Sequence, residues 1–460
     1  MIVWLTQVFS ERRIEGAREL GFKALLGLAM TAGLLFADPL EIGSRTERHS
    51  RDVFNAIFGV PAATTPTAGD VAVVVLNETT LRALGMPWPL PYAVHADIVD
   101  AIRSYAPKAL VVDILFVDPL RRDPTVSELA DTLRAEGRAK VFLASAPGGG
   151  TAILPALDPA GWGEASDRAE LVAVDEVPPD FAHSPYKLLR DTGPDSPAFS
   201  VYRHLCAHGE MAGCGRTVAR ADFRWDMEIQ WPIGAPDPRQ QMRLIGRECA
   251  AVPEGWFARL GAVLRAAGGL EGLRQSCPPY TAVLAQDLLR PGRHEEILDA
   301  ALRGKVVFYG VSITGNTDAV RVGHVKEPLP GVFVHAAAYE NLARYGTRYL
   351  TGSPRSERIS ETAVELTLAA AMAMLVFLGT RGAQLILVAS KGQFGLPPLM
   401  KRIVIVWPLF LGLALAGAAL CGGAVLIEYH LFAIAPSNWI ALLTMSTATL
   451  AMIEPAIKSG

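Results

Sequence analysis

Three short apolar runs separated by helical stretches constrain this chain more than any other feature. They are residues 71–76 (VAVVVL), 109–116 (ALVVDILF) and 140–145 (KVFLAS). Residues 92–105 carry a helical pattern between the first two runs, and a second helical stretch joins the second to the third. Strands at this spacing read as βαβ units, because parallel neighbours need a helical crossover. Runs apolar on both faces suit a sheet covered by helices on both sides. The expected fold class is therefore α/β, an exported domain with a mostly parallel, helix-covered sheet. Ligands in such sheets bind beyond the carboxyl ends of the strands. Asn77, Glu78, Asp113 and Asp118 stand at or near those ends.

The core pattern returns at residues 305–310 (KVVFYG), runs into the loop 314–318 (TGNTD), and is followed by a helical stretch over 334–345. Between residues 146 and 291 glycine, proline and tryptophan are frequent and the periodicity weakens. That region reads as strands and insertions decorating one domain.

Half of the 460 residues are hydrophobic and only 19% are charged, with a mean hydropathy of +0.26. The excess falls in blocks at 20–40, 361–378, 403–427 and 431–453. About 20 apolar residues span a bilayer, so four transmembrane helices are expected, one before the domain and three after. A cleaved leader is the competing reading of the first block, but no A-x-A site follows it. Ala29, Gly33 and Ala37, and again Ala414, Ala418 and Gly422, form small-residue stripes suited to helix packing. The loop 379–402 carries Arg381, Lys391, Lys401 and Arg402 and no acid, which places it in the cytoplasm. Residues 1–19 and the tail 454–460 are then cytoplasmic, and 41–360 lie outside the inner membrane of a bacterium as a multi-pass protein's large domain. A net charge of −3 argues against nucleic acid as a partner.

Five cysteines are present. Cys206, Cys214, Cys249 and Cys277 lie in the exported region, and Cys421 lies in an apolar block. No CxxC spacing argues for zinc. Outside the cytoplasm the four form disulfides in one of three connectivities. Proximity favours Cys206–Cys214 with Cys249–Cys277; buried free thiols are the alternative.

The motifs and layout together resemble a CHASE-type sensory protein of the second type. Asn77-Glu-Thr-Thr-Leu81, Leu84-Gly85, Pro87-Trp88-Pro89 and His95-Ala96 resemble that family's acidic strand end, tryptophan–proline turn and helix. Asp113-Ile-Leu-Phe116, Asp118-Pro119 and Asp123 resemble its central signature. Gly304-Lys-Val-Val-Phe-Tyr-Gly310, Asp318 and Pro330-Gly-Val-Phe-Val-His335-Ala336 resemble its closing one. One span before the domain and three after is also the family's layout. Asn77 stands where the family usually has aspartate, and Tyr92 follows Pro91 where a proline–aromatic–x–arginine run is common. Family members often continue into a cyclase or kinase. These 460 residues contain no P-loop, kinase glycine loop or histidine-kinase box, so the expected form is a stand-alone sensor.

The candidate ligand-binding residues are Asn77, Glu78, His95, Asp113, Asp118, Asp318 and His335. Converging carboxylates would suit a divalent cation or an amine; otherwise Asp113 caps a turn and the others are solvated. No organic cofactor motif is present. His95 and His335 are pH-switch or ligand candidates, or they simply bond backbone carbonyls. Gly310-Val-Ser312-Ile-Thr314 lacks the last glycine of a hydrolase elbow, and His294-Glu295 lacks the second histidine of a zinc-protease helix. Trp88 between prolines reads as a packing plug, while Trp162, Trp225, Trp231 and Trp256 are candidates to line a pocket with it.

Three functions compete. A membrane sensor would bind a small molecule or partner outside and relay the signal through its spans to a separate effector. An envelope-complex subunit is the second, and an exported metal-dependent hydrolase or phosphatase the third. Expected partners are the membrane, a signalling or envelope protein, and a second copy as a homodimer.

Overall fold

The computed structural model describes residues 42–352 except 118–122, 138, 147–152, 175–184, 267–268, 291, 293–294 and 314–317, and beyond them only 412, 422, 423, 426, 429 and 433. Asp52–Gly352 form one compact unit, which carries the sheet. No helix among the described residues is long and apolar enough to cross a membrane. The four expected spans lie outside the described residues, isolated positions aside.

The described chain opens with helix α1 (Ile42–Phe58) and strand β1 (Val71–Asn77), then α2 (Glu78–Leu84) and α3 (Tyr92–Ser104). Next come β2 (Ala109–Asp113), α4 (Val126–Arg134), β3 (Lys140–Ser145) and β4 (Ala169–Ala173). Helices α5 (Pro197–His208), α6 (Pro238–Ile245) and α7 (Trp256–Arg265) precede β5 (Thr281–Leu284). The chain continues through α8 (Ala285–Leu289), α9 (Glu295–Leu302) and β6 (Val306–Ser312). The short strands β7 (Ala319–Val320) and β8 (Leu329–Pro330) lead into α10 (Val332–Tyr345).

The main sheet has six strands in the order β4-β3-β2-β6-β1-β5, all parallel. β6, last in sequence, lies between β1 and β2. It places Val75 opposite Gly310, Asn77 opposite Ser312 and Asp113 opposite Gly310.

Alternation along each strand divides the core in two. Val73, Val111, Phe142 and Phe308 face α5 and α10. Val74, Val112, Leu143 and Tyr309 face α3, α4, α8 and α9. The layer under α5 and α10 is mostly β-branched and aromatic, which suits a pleated surface buried on both sides, and the other layer is rich in leucine.

The sheet's two edge strands, β4 and β5, come from the region 146–291, which had read as decoration. Neither has a long apolar run: β4 is AELVA with Glu170 half-buried, and β5 is only four residues. The Gln241 side chain pairs with the open edge of β5, accepting from Ala282 N at 3.0 Å and donating to Ala282 O at 3.2 Å. Such a cover blocks edge-to-edge association.

The tryptophans do not gather. Trp162 belongs to one core layer and Trp231 to the other, on opposite sides of the sheet. Trp88 is 40% exposed and presents its ring edge-on to His95 at 6.2 Å. It rests on the rim rather than plugging the helix from beneath, because α3 is already sealed by Tyr92, Ala96, Ile98 and Val99.

Two disulfides are formed, Cys206–Cys214 and Cys249–Cys277, with Cα separations of 5.7 and 5.2 Å. The pairing is the one that proximity favoured.

Candidate functional site

The loops after β1 and β2 lead to helices on one face, and the loop after β6 leads to α10 on the other. Neighbouring connections therefore part company over β6, the arrangement that opens a ligand crevice beyond strand ends. Asn77, Asp113 and Ser312 end the three strands there.

Asp113 occupies the strand position that follows Val111 on the α10 face, by the period of two. Its carboxylate Oδ1 lies 3.9 Å from Nε2 of His335, and both side chains are nearly buried. Burial pushes the Asp113 carboxyl up to about 7. His335 Nδ1 in turn meets the Tyr186 hydroxyl at 2.8 Å, with the rings edge-to-face at 5.6 Å. When Tyr186 donates to Nδ1, the imidazole proton sits on Nε2, facing Asp113. The result is a buried line from strand end to imidazole to phenol.

Tyr186 is also a backbone anchor. It exchanges hydrogen bonds with Met227 at 2.7 and 2.9 Å, and Glu228 N donates to Leu350 O at 2.8 Å. Bridges link Tyr186 to Met227 and Met227 to Thr351. The far end of the buried line is thus stitched to residues 350–351, where the described domain ends.

His95 lies on the other side of the sheet. Its Nδ1 meets the Tyr309 hydroxyl at 2.8 Å, and Phe116 closes on its ring edge-to-face at 5.4 Å. Burial lowers its pKa to about 4, against a smaller upward pull from Asp123. It is neutral at any ordinary pH. The sheet separates it from His335, so the two histidines form two sites rather than one.

Asn77 caps α2, its Oδ1 accepting from Thr80 N at 3.0 Å. Asparagine and aspartate cap about equally well, so Asn77 serves this role as a carboxylate would. Glu78 lies half-buried in the first turn of α2. Asp318 is half-buried at the start of α10. Its backbone carbonyl accepts from Gly331 N at 3.0 Å. A side chain at Gly331 would collide with the Asp318 carboxylate. The chain's own acid therefore fills the space at this helix N-terminus. Gly310 is needed for a similar reason, since a Cβ there would lie 2.6 Å from Val332. Asp118 lies outside the described residues. Among those described, no group of three or more His, Cys, Asp or Glu is gathered as a metal site requires.

Asp123 was noted in the central signature but given no role, and its position is informative. Pro91 precedes α3 and offers no side-chain cap. Asp123 accepts from Tyr92 N at 2.7 Å, and Thr125 Oγ1 accepts from Ala93 N at 3.0 Å. Asp123 also accepts from Thr125 N at 2.9 Å and Thr125 Oγ1 at 2.5 Å. Burial alone would raise its carboxyl, but these hydrogen bonds from Thr125 and Tyr92 outweigh it and hold the pKa below the ordinary value. The loop after β2 thus caps the helix after β1 and ties the two connections together. Tyr186 was missed altogether. It stands in an irregular stretch 149 residues from its partner, with no local periodicity to mark it.

Compared with known families, the chain matches the CHASE2 domain over residues 25–380. No curated protein matches it, and no solved structure does. The match takes in the whole sheet, both core layers and the strand ends over β6, and the chain belongs to the CHASE2 domain family, a family of sensory extracellular domains.

Proposed function

We propose that this protein is an integral inner-membrane sensor. Residues 41–360 form the exported sensory domain, and the apolar blocks at 20–40, 361–378, 403–427 and 431–453 anchor it, with both termini in the cytoplasm. The crevice over β1, β2 and β6 receives a small molecule or partner that contacts Asp113 and His335. Asn77, Glu78, Asp118 and Asp318 shape its rim. The signal passes through the membrane helices to an effector protein.

The observation that carries this reading is the line Asp113–His335–Tyr186, with its 3.9 and 2.8 Å steps. It begins at the crevice and ends on the backbone pairing that holds residues 350–351. A ligand shifts an equilibrium only by its differential affinity for two states. A ligand that orders the imidazole would bias the pairing at the domain's exit.

Thermal-shift screening of the full chain in detergent tests this. A stabilising ligand should lose its effect in Asp113→Asn and His335→Gln. Tyr186→Phe should bind it still but fail to signal in cells. A ligand that stabilises all three variants equally would move the site elsewhere.

A further inference from the structure

We propose that the outer face of α7 is a contact between two copies of this chain, packed antiparallel about a two-fold axis. The proposal does not depend on the ligand reading above.

α7 turns the usual pattern of burial inside out. Arg259 is only 5% exposed. Its guanidinium donates to Gly59 O at 2.6 Å, just past the end of α1, and to Gly255 O at 3.4 Å. Ala262 and Val263 are also buried. Facing outward are Phe257 at 71% and Leu264 at 68% exposure, with Trp256 at 41%. Phe257, Leu260, Gly261 and Leu264 stand at i, i+3, i+4 and i+7, the spacing of one helix stripe. A charge turned inward and aromatics turned outward mark an interaction face.

The helix is also held in place for such a role. It lies within the loop closed by Cys249–Cys277, 28 residues apart. It adds nothing to either core layer of the sheet. Trp256 is steadied by stacking on Phe58 at 5.8 Å.

Charge selects the occupant. Glu254, just before the helix, and Arg265, its last residue, are both exposed and bracket the apolar stripe. An antiparallel pair sets Glu254 of each copy beside Arg265 of the other and opposes the helix dipoles favourably. A parallel pair would set like charges together. The stripe is thus self-complementary, as a two-fold interface must be. At its centre Gly261 has no side chain; the Arg265 guanidinium folds over it, 3.5 Å from where a Cβ would stand, and swinging out to the second copy's Glu254 lets the two backbones come close. A lipid surface would favour a lysine- and arginine-rich rim, which an acid at one end and a single arginine at the other do not supply. One helix face is small beside the roughly 1,600 Å² of a standard interface, so the contact is expected to be reversible.

The test is cysteine cross-linking of the full chain in its native membrane, in a Cys421→Ser background. Gly261→Cys lies beside the axis and should cross-link to its own copy with a short bismaleimide. Arg265→Cys alone should not, whereas co-expressed Glu254→Cys and Arg265→Cys chains should link to each other. Phe257→Ser with Leu264→Ser should reduce the Gly261→Cys dimer at least tenfold without changing the melting temperature. Glu254→Arg should reduce it too, and adding Arg265→Glu should restore it. Four results would overturn the proposal: no Gly261→Cys dimer in a normally folded chain, self-linkage of Arg265→Cys, adducts to a different protein instead, or quenching by brominated lipid of a fluorophore attached at Phe257→Cys.

Discussion

Asp113→Asn should make the domain's stability less sensitive to pH in a direction that surface acids do not share. Burial raises the Asp113 carboxyl from 3.8 to about 7. The folded state therefore holds this proton more tightly than the unfolded state does. Between those values it binds more protons, so stability falls as pH rises. The full effect is about 4 kcal/mol, at 1.36 kcal/mol per pH unit. Roughly 2–3 kcal/mol of it is lost between pH 5 and pH 8. Asparagine cannot ionise and escapes this loss. His95 and His204, both lowered to about 4 chiefly by burial, act in the opposite sense: their contribution is lost as pH falls from 6.5 towards 4. They are common to both proteins and cancel in the difference. Melting the wild-type and Asp113→Asn chains in detergent at pH 5, 6, 7 and 8 measures that difference. At about 1.5 °C per kcal/mol for a unit the size of Asp52–Gly352, the variant's melting temperature relative to wild type should rise by roughly 3–5 °C across the range. A relative melting temperature that falls with pH would refute the reasoning. A flat or falling value would mean that the folded state holds no extra proton on Asp113 in this range.

Gly331→Ala should destabilise by about 1–3 kcal/mol, the usual penalty of overpacking, because its methyl meets the Asp318 carboxylate. Adding Asp318→Ala should recover part of that in a double-mutant melt; strictly additive losses would contradict the contact. Non-reducing peptide mapping should recover Cys206–Cys214 and Cys249–Cys277. Cys249→Ser with Cys277→Ser should lower stability by about 2–4 kcal/mol, and unchanged melting would count against the cross-link. A cytoplasm-active reporter should work when fused at Gly460 and fail at Gly193; the reverse pattern would invert the proposed topology.

The first βαβαβ unit is plain in the sequence because each strand is an apolar run and each crossover helix is local, bounded by turn residues. Residues 140–145 read as a strand and are β3, and 92–105 read as a helix and hold α3. The run 109–116 was read too long. β2 ends at Asp113; beyond it Ile114 and Phe116 are buried in loop, Phe116 against Tyr92 of α3 at 6.0 Å, while Leu115 is exposed. Strand order was not legible, since nothing local in 305–310 says that it belongs between β1 and β2. The candidate site was legible only in part for the same reason. Asp113 and His335 were named, but which face each takes depends on strand phase and on where the next helix lies. Tyr309 carried a signal that could have been used: a hydroxyl within an apolar run must find a partner when buried. Here that partner is His95.

The place of β6 governs how this domain can be assembled. The chain emerges from its N-terminus, so β1 and β2 form long before Val306 arrives. Sequential strands usually pair with each other, but here the neighbour each of them needs is the last strand of the sheet. Until then both present open edges on which wrong pairing can start. If β1 and β2 met directly, they would have to part again to admit β6. The sheet's centre is therefore completed last and from distant contacts, a topology that folds slowly. A chain cut just before Val306 would lack the middle of its sheet rather than an edge.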